Sequence, residues 1–341
     1  MVEMQSLAIR SSGRVDAQEA LHAYLALVVL PCAGIEVIHP HFEAVCLSNR
    51  QAVYLCREQQ SCAHFVCKFF GHRWYLSQEE RRELLNHEFN SLSALRDIGF
   101  CEFPDRVVRP LSKNEEISCL LVEEFAHGHD LDYYIAKAAY EGQHDRLFQK
   151  LTQLAHFLAQ LHNRTASRDG VNFSESSAYF RHVVDSLARL GLIDDSAVTA
   201  LRDLCGEWER SAAMWADLSV MIHGDATPTN FIFHPEDGVT AIDLERMRPA
   251  DRVHDVGVLM AELKHHFAWR TRRADAAEPF IGYFLRAYCE DFPDPESTFD
   301  AVTRRNRFYM ALGELRIARN EWLNWEHRKW LVDEARRCLQ L

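Results

Sequence analysis

The feature that most constrains the fold is a change of pattern near residue 126. Ahead of it, three short runs follow one another closely: residues 43–47 (EAVCL), 51–56 (QAVYLC) and 63–70 (AHFVCKFF), separated by turn residues. That spacing predicts an antiparallel meander. Residues 106–111 and 117–125 predict two more strands, the second almost wholly apolar as in a buried central strand. One helix interrupts the strands, and an earlier helix is expected over 16–30, capped by Asp16 and ended by Pro31 and Gly34. Beyond residue 126 nearly every segment carries three- and four-residue apolar spacing, with residues 145–162 the clearest case. The expectation is an α+β chain: residues 1–125 hold a five-stranded sheet with one key helix, and 126–341 form a larger helical part.

With 341 residues the chain is long enough for two packed lobes or one large domain. A formal charge of −12 argues against nucleic acid or anionic lipid as a partner. The ten cysteines include no Cys-x-x-Cys pair, which fits a reduced, cytoplasmic protein. His127 with His129, and His265 with His266, lack a matching second ligand set and read as surface or core histidines. Residues 1–14 have no apolar signal core, and 24–32 is too short to span a bilayer.

Three stretches carry candidate chemistry. Strand alternation over 63–70 puts Lys68 on one face between Val66 and Phe70. Ser77 to Glu80 is a capping-box pattern opening a helix whose stripe is Leu84, Leu85, Phe89, Leu92 and Leu95. Glu88 falls on that buried stripe, where a carboxylate needs a partner, so Lys68 and Glu88 explain each other. The third stretch is residues 221–233 (MIHGDATPTNFIF) followed by 241–245 (AIDLE). Loop, strand, turn and strand are expected to return Asp243 beside Asn230 as a hairpin would. A carboxylate, Asp225, free to meet a hydroxyl, near hard oxygen ligands from Asn230 and Asp243, suits Mg²⁺-assisted phosphoryl transfer.

The order of strand lysine, helix glutamate, connector, His-Gly-Asp-x4-Asn and Ile-Asp resembles the protein-kinase-like superfamily, and within it the aminoglycoside phosphotransferase and choline kinase families. His223–Asn230 looks like their catalytic loop, Asp243-Leu-Glu245 like their metal-site segment, and residues 250–257 (ADRVHDVG) like the run that follows it. The resemblance implies a bilobal kinase-like fold, with catalytic loop 221–233, metal-site segment 241–247 and a helical insertion at about 172–217. It also implies roles. Asp225 accepts the acceptor's hydrogen bond and later its proton; Asn230 and Asp243 hold Mg²⁺; Lys68, oriented by Glu88, contacts the nucleotide phosphates. Backbone groups near Glu124 and Ala126 would meet the purine, and His223 and Asp255 would support the loop.

Departures from the family pattern are visible too. The phosphate-covering turn at 47–51 has no glycine, so Ser48 and Asn49 are the donors available there. Thr227 stands where relatives carry Lys or His, and Arg246 is the substitute cation at the γ-phosphate. Only seven residues separate Asp243 from Asp251, too few for a peptide-docking segment. The function implied is therefore an ATP- or GTP-dependent kinase acting on a hydroxyl of a small molecule such as an aminoglycoside, amino alcohol or sugar. A lipopolysaccharide-core sugar kinase and a non-catalytic nucleotide-binding pseudokinase are the alternatives. Glu290–Asp294 or Glu321 would suit an aminoglycoside and Trp269, Trp322 and Trp325 a choline cage. A solvated loop and core packing are the expected roles of these two groups.

Overall fold

The computed structural model describes residues 14–48, 52–235 and 238–340, with the backbone alone for residues 14–17. It divides into two compact units: residues 1–127 with 240–245, and residues 128–239 with 246–341. Among the described residues no helix is long and apolar enough to cross a membrane.

The first unit opens with helix α1 (Arg14–Tyr24), which continues through a π-helical turn (Leu25–Val29) into the single turn α2 (Leu30–Cys32). The chain is already helical at Arg14, two residues before the expected cap at Asp16. Its sheet joins β1 (Phe42–Ser48), β2 (Val53–Glu58), β3 (His64–Phe69), β5 (Pro110–Asn114) and β6 (Leu120–Glu124). The strands run antiparallel in the order β1-β2-β3-β6-β5. Residues 106–111, expected as one strand, are two: β4 (Asp105–Val107) lies outside this sheet, and β5 begins at Pro110. Proline lacks the amide a continuous ladder needs, which is the reason for the break.

Alternation on β3 sorts its side chains as expected. Phe65, Cys67 and Phe69 enter a core with Leu21, Leu25, Val29, Leu120 and Val122. Phe70, on the other face, packs with Leu85, Cys119 and Leu121. Helix α3 (Gln78–Asp97) carries the capping box: Ser77 Oγ accepts from the Glu80 amide, and Glu80 accepts from the Ser77 amide. The chain returns to this unit at Thr240, whose hydroxyl accepts from Arg106 Nε at 3.0 Å; the carbonyl of Ala241 accepts from the Val108 amide at 3.0 Å.

The second unit is mostly helical. In it, β7 (His129–Asp130) pairs with β9 (Phe231–His234), and β8 (Val220–Ile222) with β11 (Arg248–Ala250). Strand β10 (Gly238–Ala241) leads out towards Asp243. Its helices are α4 (Leu131–Glu141), α5 (His144–Arg164), α6 (Phe173–Arg189), α7 (Asp195–Arg210), α8 (Val253–Thr271), α9 (Glu278–Cys289), α10 (Pro295–Ala318) and α11 (Trp325–Leu339). Helices α6 and α7 fill the region expected as a helical insertion.

Helix α8 is buried on nearly every side and crosses α10 at small residues. A Cβ on Gly257 would lie 2.4 Å from Tyr309 Cβ and 2.6 Å from its carbonyl carbon, and one on Gly313 2.6 Å from Ala261 Cβ. Gly257→Ala is therefore expected to lower stability by about 1–3 kcal/mol through overpacking, read as an earlier urea midpoint at unchanged slope.

Two surface assignments change. Trp322 and Trp325 are exposed, at 59% and 47%, rather than packed in a core. Trp322 meets Trp269 edge to face at 6.3 Å between centroids.

Candidate active site

In the first unit, β3 and α3 bring Lys68 and Glu88 together across 20 positions of sequence. Lys68 Nζ donates to Glu88 Oε1 at 2.6 Å, and lies 3.4 Å from Glu123 Oε2 and 3.5 Å from Asp243 Oδ1. Glu88 and Glu123 are buried, because their strand and helix positions face the interior. Burial disfavours the charge on Lys68, but Glu123, Glu88 and Asp243 outweigh it and hold its pKa well above the ordinary lysine value. One ammonium cannot balance three carboxylates. Burial therefore raises the pKa of both Glu88 and Glu123, against the pull of Lys68.

Asp243 adopts a left-handed backbone, φ 64°, a strained conformation for a side-chain-bearing residue that aspartate tolerates better than most. Its carboxylate gathers with those of Glu88 and Glu245, with oxygens within 4.8 Å of one another. Arg73 pairs with Glu245, and Glu88 Oε2 is buried without a hydrogen-bond partner. A hard divalent cation fits this donor set: carboxylate oxygens, excess negative charge and an orphaned acceptor. Glu245 and Arg73 were not among the expected site residues, although the motif Asp243-Leu-Glu245 was the available signal.

The other residues expected on the nucleotide side are less gathered. Ser48 ends β1, opposite Val53 and beside a register shift. Asn49 lies outside the described residues. The Glu124 amide donates to the Arg109 carbonyl at 3.0 Å, and its carboxylate accepts from the Arg109 amide at 2.9 Å. That amide is thus engaged at the sheet edge, which leaves the other backbone groups near Glu124 and Ala126 as those expected to meet a purine. Ala126 follows in the irregular connector.

In the second unit, the loop that begins at His223 is shaped by Asp255 on α8. Its carboxylate accepts from the His223 amide at 2.7 Å and the Gly224 amide at 2.9 Å. The third contact is His162 Nε2 at 3.2 Å, and His162 Nδ1 lies 2.8 Å from Tyr288 Oη. Asp255 is an acceptor, so Nε2 carries the proton and Nδ1 accepts from the Tyr288 hydroxyl. Burial would raise the Asp255 pKa, but the His162 hydrogen bond, followed by the electrostatic influence of His162, His223 and His254, brings it down to about 2. Gly224 has φ 79°, and a Cβ there would lie 2.1 Å from the Arg246 carbonyl oxygen, so only glycine fits.

This bracing presents Asp225, Asn230 and Arg246 together. Asn230 Nδ2 donates to the Asp225 carbonyl at 2.9 Å, which fixes the orientation of the amide. Arg246 Nη1 stands 3.9 Å from Asp225 Oδ2. The nearer cation is Arg316 from α10, whose Nη2 donates to Asp225 Oδ1 at 2.6 Å. Burial opposes the charge on Asp225, but Arg316 and Arg246 prevail and lower its pKa. Arg316 lies 91 residues away in a helix with no motif, so no sequence signal pointed to it. Glu262 on α8 was missed likewise; burial first, then repulsion from Asp225 and Asp132, raise its pKa to about 7 against the pull of Arg316.

Beyond Asp243 the chain runs directly through β11 into Asp251, which is buried and lies 3.3 Å from Arg305, and then into α8. No peptide-docking segment intervenes.

Comparison with known proteins agrees with this arrangement. The family model of the phosphotransferase enzyme family, APH, matches residues 47–298. No curated protein sequence matches the chain significantly. Among solved structures, an ethanolamine kinase from Plasmodium vivax aligns with TM-score 0.60 at 14% identity, covering 96% of this chain and 95% of that one. A putative fructosamine-3-kinase from Haemophilus somnus gives 0.59 at 13% identity over 93% and 97%. An ADP-bound aminoglycoside phosphotransferase, APH(2″)-Ib, gives 0.54 at 14% identity over 96% and 97%. These likenesses show a protein-kinase-like fold, and with a family match over most of its length the chain belongs to the phosphotransferase enzyme family.

Proposed function

We propose that the chain transfers the γ-phosphate of ATP or GTP to a hydroxyl of a small molecule, with Mg²⁺ as the metal. The observation that carries this reading is the gathering of Lys68, Glu88 and Asp243, from β3, α3 and the segment after β10, into one paired cluster. Relatives that act on ethanolamine and aminoglycosides, one of them ADP-bound, support a nucleotide donor and a small acceptor. The direct passage from Asp243 to α8 supports the small acceptor independently.

Asp225 orients the acceptor hydroxyl, and its carboxylate receives the proton as the new oxygen–phosphorus bond forms and the bond to the β-phosphate oxygen breaks. Lys68 holds the nucleotide phosphates, its direction set by Glu88. Asp243, Glu245 and Asn230 are the residues to hold Mg²⁺, which supplies neutralisation of phosphate charge when bound. Arg246 carries the cation that Thr227 lacks.

Lys68→Ala is expected to lower kcat/KM for the nucleotide by about 10²–10³-fold, as loss of one preorganised charge does. It should also shrink the thermal shift produced by MgATP. An unchanged nucleotide response would sink the assignment. The pseudokinase reading has one observation in its favour, the engagement of Asp225 Oδ1 by Arg316. Mg²⁺-dependent ADP release on an acceptor panel of amino alcohols, sugars and aminoglycosides decides between them: nucleotide binding without turnover would favour the pseudokinase.

A further inference from the structure

Helix α10 and its C-cap present two arginines one turn apart, and among the described residues only the first has a counter-ion. Arg316 is taken by Asp225. Arg319, three positions on and on the same face, donates to the Tyr179 hydroxyl at a long 3.4 Å, and its buried Nε atom has no hydrogen-bond partner. Among the described residues, no carboxylate lies within ion-pair distance of it. Guanidiniums nearby are treated differently: Arg181 forks onto Glu209 at 2.8 and 2.6 Å, and Arg202 pairs with Asp185 at 2.6 Å. Tyr179 on α6 also lies close enough to Arg316 to influence its charge. The phenol and the two guanidiniums are thus neighbours on the catalytic-loop side of α10.

The charge balance here runs against that of the chain. At Asp225 stand Arg246 and Arg316, with Arg319 one turn beyond Arg316; the acidic groups beside them are Asp225 itself and Glu262, whose carboxyl is only partly ionised at neutral pH. The chain as a whole carries −12. A half-buried guanidinium without an anion retains its forked donors for a ligand, and carboxylate and phosphate match that fork.

Resting on the kinase reading above, we propose that the acceptor bears an anionic group, a carboxylate or a phosphate, besides its reactive hydroxyl, and that Arg319 with Tyr179 receives it. The hydroxyl then points at Asp225 because Arg316, one turn earlier, holds that carboxylate. Amines and neutral sugars without such a group lack the second anchor.

The test uses acceptor pairs that differ in one anionic group: serine against ethanolamine, glycerol 3-phosphate against glycerol, and glucuronate against glucose. For wild type, Arg319→Ala, Arg319→Lys and Tyr179→Phe, kcat/KM is read from ADP release, and binding from thermal shifts in the presence of ADP. In wild type at least one anionic member should bind and react about 10–100-fold better than its partner, the range for a charge-assisted contact. The ratio should fall towards one in Arg319→Ala and recover partly in Arg319→Lys. The proposal is overturned if no anionic member outbinds its neutral partner in wild type, or if the ratio survives in Arg319→Ala. It is overturned equally if Arg319→Ala raises KM for ATP and leaves the ratio alone, for then the guanidinium serves the triphosphate. Failure of the kinase reading looks different: no acceptor would give Mg²⁺-dependent ADP release in wild type, while the thermal shifts would still report whether anions are preferred.

Discussion

Asp225→Asn is expected to reduce turnover of any accepted hydroxyl by about 10²–10⁴-fold while leaving nucleotide binding in place, the loss typical of a removed general base. The amide keeps the size of the carboxylate and an acceptor for Arg316, whose Nη2 meets Oδ1 at 2.6 Å, but it can take no proton and carries no charge for that guanidinium. The pH profile carries a second signature. Burial alone would raise the Asp225 pKa, and Arg316 and Arg246 reverse that, so in the free chain the carboxylate stays ionised through ordinary assay pH. The acid limb due to this group therefore lies below the usual aspartate value of 3.8, and kcat/KM is flat in this group from pH 5 upward. A base so stabilised is weak, which suits a hydroxyl that loses its proton late in a loose phosphoryl transfer. Arg316→Ala should move the acid limb upward, because burial then acts with less opposition. An Asp225→Asn chain as active as wild type, or an acid limb unmoved by Arg316→Ala, would count against these roles.

The second large effect concerns Asp255. Asp255→Ala is expected to destabilise the chain by about 3–5 kcal/mol, the range for breaking a buried charged network by removing one partner. Three donors lose their acceptor at once: the His223 and Gly224 amides and His162 Nε2. The pH dependence follows from the depressed pKa. The folded value is about 2 against an ordinary 3.8, so the contribution is complete above the unfolded value and is lost as pH falls towards 2. Urea titrations of wild type between pH 5 and 2 should show a steeper loss than those of Asp255→Asn. Equal slopes would show that Asp255 does not carry the linkage.

Much of the first unit was legible because period-two alternation and the capping box are local codes. Phe65, Cys67 and Phe69 on one face, Lys68 on the other and Glu88 on the α3 stripe all follow from spacing. The division at Pro110 was missed because the apolar run hides the missing amide. The motif residues Asp225, Asn230 and Asp243 were legible through their resemblance to a known loop. The partners that set their chemistry were not. Arg316, Glu262 and Glu123 come from elements whose own pattern is ordinary helix or strand, and only packing across long sequence separations brings them to the motif. Trp322 and Trp325 misled for the converse reason, since large aromatic side chains usually mark a core.

The glycine crossing of α8 and α10 has a wider consequence. Asp255, which holds the backbone of the catalytic loop, sits on α8, and Arg316, which holds the side chain of Asp225, sits on α10. The interlock at Gly257 and Gly313 therefore acts as a common gauge for both constraints. Arg319 lies just past the last turn of α10, beyond this contact. Lineages or libraries can accordingly exchange residues at 319 and 179 to change the acceptor without recalibrating the reaction centre. A change at 257 alters the alignment of both constraints together, so its harm to turnover should exceed what its loss of stability alone accounts for.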